Sequence, residues 1–157
     1  MSLAREARRA ELWLGATLRE VLAAPLPMVL LAREGWLTGR SIAVVVDELR
    51  GAELVLEATA RIAAQSASPT SVLLAGAAAR SYEENPAELR RELESRGMAS
   101  STILHVGEAA AGDVARAART CRARLVVLPA AGPEIDAPLI EELLRRLPSA
   151  LLLVQRK

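Results

Sequence analysis

SIAVVVDELRG, residues 41–51, is an apolar, β-branched run that stops at an acidic pair, Asp47 and Glu48, and reaches Gly51 four residues after the aspartate. The run is too short for a packed helix and shows no polar alternation, so it reads as a strand covered on both faces. Four more runs are built the same way: SVLLAGA (71–77), STILHVG (101–107), RLVVLPA (124–130) and ALLLVQRK (150–157). Burial on both faces is the mark of a parallel sheet between helices, and parallel neighbours require long crossovers.

Helical periods fill the gaps. In residues 52–66, Val55, Ala58 and Ile62 form an apolar stripe, while Glu57 and Arg61 make an i,i+4 pair on the outer face. NPAELRRELESRG (85–97) carries Asn85 as N-cap, Pro86 at the first helical position, Glu88 two further on, a seam of Leu89 and Leu93, and Gly97 as the stop. In GDVARAARTCRAR (112–124), Val114, Ala117, Ala118 and Cys121 share one face and the arginines the other. DAPLIEELLRRLP (136–148) puts Pro138 in a first turn, turns Leu139, Ile140, Leu143, Leu144 and Leu147 inward, and sets two Glu to Arg i,i+4 pairs outward. Strand and helix in alternation predict a five-stranded, parallel, doubly wound α/β sheet.

Composition bounds the function. A chain of 157 residues makes one ordinary domain, which buries roughly two-thirds of its unfolded surface. With 52% hydrophobic residues, 2% aromatics and no Phe, its core is aliphatic. Twenty basic and nineteen acidic side chains nearly cancel and never run together, which excludes a nucleic-acid tail, and the scarcity of aromatics removes the platforms that single strands stack on. A lone Cys121 and a lone His105 allow neither an internal disulfide nor a metal-ligand spacing. A reducing, cytoplasmic setting is expected. Residues 12–32 are apolar, but Arg19, Glu20 and two prolines interrupt them, short of the roughly 20 clean residues a bilayer needs, so no direct membrane insertion is expected.

The first 39 residues stand outside the strand count. They predict a helix over about 4–24, a strand PMVLLAR (27–33) and a link EGWLTGR (34–40). Shifted by 121 positions, this unit overlays the C-terminus, with Glu20 on Glu141, Leu26 on Leu147, Pro27 on Pro148, Leu30 on Leu151 and Leu31 on Leu152. Residues 1–39 are therefore expected to be the closing helix and strand of a preceding, truncated repeat, and 40–157 the domain proper.

A first strand ending in Asp47, Gly107 closing the third strand, a helix leading into RLVVLPAAG, and a last helix running through a proline into an apolar strand together resemble the universal stress protein family. The resemblance covers roughly residues 40–157. It implies a five-stranded parallel α/β fold in which the last strands of two halves meet antiparallel, placing PMVLLAR beside ALLLVQR at the sheet edge. It implies a homodimer or a tandem sister domain as partner, and it leaves open a fusion to a membrane transporter such as a cation/proton antiporter, the domain being its cytosolic part.

Some members of that family bind ATP at the carboxyl ends of the strands. By the resemblance, Asp47, Gly107 and Gly132 are the candidate cofactor-binding residues of a vestigial nucleotide crevice. The family's serine two positions after the aspartate is Leu49 here. Its phosphate cradle is a glycine after the fourth strand, a second three residues on, and a third about nine residues further, before Ser or Thr. Gly132 is the only glycine after Gly112, and Glu134 and Asp136 stand where phosphates would lie. The reading is a regulatory or interaction module without a complete ATP motif, not an enzyme, with no cofactor and no metal. The alternative is a nucleotide-binding protein of weak ATPase activity.

Each candidate has a plainer reading beside it. Asp47 either serves a ligand or accepts amides from its own turn. A two-component receiver is excluded, because the third strand ends in His105, Val106 and Gly107, with no phosphorylatable aspartate, and Lys157 is the final residue. His105 is expected in the core or at its rim, and Cys121 as a small buried hydrophobe. Arg116, Arg119 and Arg122 form a solvated face, and Trp13 and Trp36 bury against a neighbouring half.

Overall fold

The computed structural model of the chain describes residues 28–31, 41–108, 110–130 and 133–155. The elements follow in the order β1 (Met28–Leu31), β2 (Ser41–Val46), α1 (Ala52–Ser66), β3 (Thr70–Leu74), α2 (Gly76–Glu84), α3 (Pro86–Glu94), β4 (Thr102–His105), α4 (Ala111–Thr120), β5 (Ala123–Ala130), α5 (Pro133–Arg146) and β6 (Ala150–Gln155). They form one six-stranded sheet in the order β1-β6-β5-β2-β3-β4. Five strands are parallel, and β1 joins β6 antiparallel, pairing Met28 with Val154, Leu30 with Leu152 and Leu31 with Leu151. The expected fold and the expected antiparallel edge are both present. The helix expected before residue 25, and Trp13 and Trp36, lie outside the described residues.

Pleating divides the apolar run of β2 between two cores. Ala43 and Val45 join Leu73, Val126, Leu128, Leu151 and Leu153 beneath α4 and α5. Ile42, Val44 and Val46 join Val72, Val127 and Leu152 beneath α1, α2 and α3. Period-two alternation thus supplies each face of the sheet with methyl groups from the same uninterrupted sequence.

Helix α1 buries Ala52, Val55, Leu56 and Thr59, so its stripe is centred one position from the expected Val55–Ala58–Ile62 line. Helix α3 seats Leu89 and Leu93 as expected. It ends in a reciprocal pair of backbone bonds, Met98 N–H to Leu93 O at 2.8 Å and Gly97 N–H to Glu94 O at 3.1 Å, with Gly97 at φ +72°. That left-handed cap is why a glycine stands there. At the other end the Asn85 amide donates to the Glu88 carboxylate at 3.5 Å. Arg96 pins α3 to α1: its Nη1 reaches Glu92 at 2.6 Å, and its Nε lies 3.4 Å from Glu57.

Four expectations need correction. SVLLAGA ends as a strand at Leu74, and Gly76 opens a helix, α2, that has no counterpart in the sequence reading. Its inward face is little more than Ala78 and Tyr82, too sparse to show a period. The third parallel strand, β4, is not buried on both faces: it ends the sheet, with Ile103 41% exposed. Helix α5 starts at Pro133, so Pro138 lies inside it, and Arg145 and Arg146 both converge on Glu142, at 3.4 and 2.7 Å. Cys121 follows α4 as its C-cap and is half-buried. Among the described residues no helix is long and apolar enough to cross a membrane.

Candidate functional site

The neighbours β2 and β5 send their connections to opposite faces of the sheet, through α1 and α5 respectively. Such a switch point opens a crevice at the carboxyl ends of the strands. The β2–β5 register stops at Val44 and Val127, although β5 continues beside β6 to Ala130. Pro129, which has no N–H to give, occupies this splayed end.

Asp47 is the first residue past β2 and is half-buried, and its carbonyl accepts the Ala78 N–H at 3.0 Å. Ala75 N–H donates to Val46 O at 3.0 Å, Gly76 N–H to Gly107 O at 2.7 Å and Val106 N–H to Leu74 O at 2.9 Å. These bonds lace the ends of β2, β3 and β4 into one rim carrying Asp47, Gly76 and Gly107. Gly76 has φ +52°, a left-handed conformation that favours glycine, while a Cβ there would make ordinary contact with the Asp47 carbonyl at 3.4 Å. Gly107 has φ +65° but faces open space.

Beyond Asp47, Leu49 O accepts the Ala52 N–H at 3.2 Å in a tight turn. Gly51, at φ +91°, turns the chain into α1. The glycine four residues after the aspartate is therefore a helix-entry residue. Leu49, two residues after Asp47, projects half-exposed from this turn. On the same rim Glu108 and Arg80 approach to 3.9 Å, both well exposed and so weakly coupled.

Two predicted site residues, Asp47 and Gly107, share this rim through Gly76, which sequence reading had absorbed into a strand. The usable signal was a glycine between an apolar run and an alanine-rich one. Gly132 lies outside the described residues. His105 is exposed and lines two grooves, one on each face of β4. Arg116, Arg119 and Arg122 are exposed, with Arg116 3.7 Å from Asp113. Among the described residues no group of His, Cys, Asp and Glu is placed to hold a metal ion.

No family profile and no curated protein matches the sequence. Solved structures do. A universal stress protein in complex with cAMP superposes with a TM-score of 0.60 at 17% identity, over 76% of this chain and 100% of the other. A universal stress protein from Archaeoglobus fulgidus DSM 4304 gives 0.65 at 14%, over 88% and 53%. A putative universal stress protein from Pseudomonas aeruginosa UCBPP-PA14 gives 0.60 at 20%, over 86% and 54%. This chain spans about half the length of the last two. Its α/β sheet has the fold of the universal stress proteins.

Proposed function

We propose that this chain is the closing part of a tandem universal-stress-protein-type unit, a member of that family acting as a regulatory interaction module and not as an ATPase. The observation that carries the reading is the start of α5 beyond β5. Pro133 opens the helix and offers no N–H, Glu134 and Asp136 follow in its first turn, and Gly132 is the only glycine after Gly112. Two acidic residues in the first turn set negative charge against a phosphate at that helix end, and Pro133 withholds one amide donor.

The tandem reading draws on the sheet edge. The 121-residue shift makes Leu30 equivalent to Leu151 and Leu31 to Leu152. The ladder pairs these four crosswise, Leu30 with Leu152 and Leu31 with Leu151. Equivalent residues pairing crosswise describe a local two-fold axis through the ladder, the arrangement of two sister domains meeting strand to strand. Met28 and Leu30 are 52% and 53% exposed, an apolar surface suited to cover by the rest of a sister. A neighbour covered over its whole length matches 76% of the chain, whereas two of which this chain spans about half match 86–88%.

Isothermal titration of the chain with Mg·ATP, and separately with cAMP, tests the crevice. No saturable heat is expected from ATP. Micromolar ATP binding that disappears in Asp47→Ala would overturn the reading in favour of a nucleotide-binding protein, the alternative favoured by the shared rim of Asp47 and Gly107. Sedimentation at several concentrations tests the edge: a chain whose β6 is already paired by β1 is expected not to dimerise through β6.

A further inference from the structure

At the other end of the sheet, β4 stands between two grooves. On the side of α2 and α3 lies a cavity of about 480 Å³ whose apolar wall includes Leu89, Leu93 and Ile103. On the side of α4 lies one of about 440 Å³ that takes in Leu104, Val106 and Ala117. The strand's own residues alternate between the two, Ile103 toward the first, Leu104 and Val106 toward the second, with His105 bordering both.

The backbone alternates as well. Val106 gives its N–H to β3, so with period two Ile103 and His105 turn theirs, and their carbonyls, outward. Among the described residues nothing pairs with that outer edge. Natural edge strands are usually guarded by Lys, Pro or a bulge. Thr102–His105, the sequence TILH, carries no such guard beyond its shortness.

We propose that the outer edge of β4 is a docking site for an extended segment of a partner protein, added to the sheet as a further strand with apolar side chains at alternating positions. The backbone of Ile103 and His105 supplies the hydrogen bonds, and the two grooves receive alternate side chains. A second copy is the weaker occupant. A four-residue strand is about 13 Å long, and two such edges meeting cover well short of the ~1,000 Å² that a specific contact between folded copies needs. Charge on the lips is balanced, Glu83 with Arg90 on one side and the Asp113–Arg116 pair on the other, which suits an uncharged strand and not a polyanion. The second groove meets the crevice rim at Gly107, but the pairing edge is the backbone of Ile103 and His105, so peptide protection there is read independently of the ATP titration.

The test pans a displayed library of seven-residue peptides, with apolar residues fixed at alternate positions, against the whole 157-residue chain. The selected peptide is then measured by fluorescence anisotropy and backbone-amide exchange. Saturable binding that slows exchange at Ile103 and His105 is expected. Methylating the peptide nitrogens that face β4 is expected to weaken binding roughly tenfold or more, the loss of one or two backbone hydrogen bonds. Ile103→Lys should weaken it comparably, and Ile103→Thr, which keeps a β-branched strand former, should weaken it less. The proposal is overturned if no sequence is enriched, if protection falls on other amides, if N-methylation has no effect, or if the free chain pairs with itself through this edge.

Discussion

The sheet is finished differently at its two ends. Strand β6, with Leu151 and Leu153 fully buried, is covered by β1 on its outer side and by α5 on one face. Strand β4, TILH, is only four residues long, its Ile103 and Leu104 flanked by Thr102 and His105, and among the described residues its outer side stays uncovered beside two grooves. The polar ends of β4 fit an edge, but its central Ile-Leu pair alone does not distinguish it from an interior strand. What separates the two is what the chain places alongside them. The largest expected effect follows from this contrast. Leu151→Ala should cost about 2–5 kcal/mol, the range for emptying a packed leucine site. Ile103→Ala should cost under about 1 kcal/mol, because its side chain is already partly in water. Urea unfolding of both variants measures the gap, and equal losses would mean that β4 is as enclosed as β6.

The same contrast explains what the sequence could disclose. Apolar runs located all five parallel strands, and in the four interior ones burial on two faces accounts for the lack of polar interruption. The paired Leu-Pro corners disclosed β1, since Leu26 and Pro27 mirror Leu147 and Pro148. Position in the sheet left only a faint mark, the Thr102 and His105 that flank Ile103 and Leu104 in β4 where β2 has an unbroken VVV. Helix α2 was hidden because only Ala78 and Tyr82 of its nine residues turn inward. Two prolines five residues apart, Pro133 and Pro138, both resemble a first helical position, and periodicity alone favoured the wrong one. At the rim, Asp47 and Gly107 were legible because each ends a strand. Gly76 was not, because its role arises from a left-handed turn and a bond to Gly107 O, a contact between residues far apart in the chain.

An intermediate effect tests how β4 is held. Besides its ladder with β3, the strand is tied at its carboxyl end by the Gly76 N–H to Gly107 O bond. Gly76→Ala would place a methyl group 3.4 Å from the Asp47 carbonyl in a left-handed conformation, while Gly107→Ala would carry only the conformational strain. Losses of roughly 1–2 kcal/mol are expected for each, set by the left-handed strain, since the contact at Gly76 is an ordinary one. Amide exchange in β4 should quicken more than in β6 when Gly76 is replaced. Equal quickening at both ends would show that the rim stabilises the sheet as a whole and gives β4 no tether of its own.

The smallest effect is read from the single tyrosine. Tyr82 lines the groove beside β4, and burial holds its hydroxyl above the ordinary phenol value of 10.0, aided by the carboxylates of Glu92 and Glu88 and opposed by Arg96. Because the folded state binds the phenolic proton more tightly than the unfolded state, this contribution to stability is complete below about pH 10. It is lost as pH climbs through the raised folded value. Absorbance near 295 nm should show a folded midpoint above that of the urea-unfolded chain, and Arg96→Gln, which removes the opposing cation, should move it higher still. A strand docked on β4 would desolvate the same groove, so the selected peptide should push the midpoint up again, whereas a ligand confined to the crevice beyond β2 should leave it in place. A midpoint at the unfolded value in the free chain would mean that the groove is filled with water to its floor, and the contrast between the two ends of the sheet would then rest on backbone pairing alone.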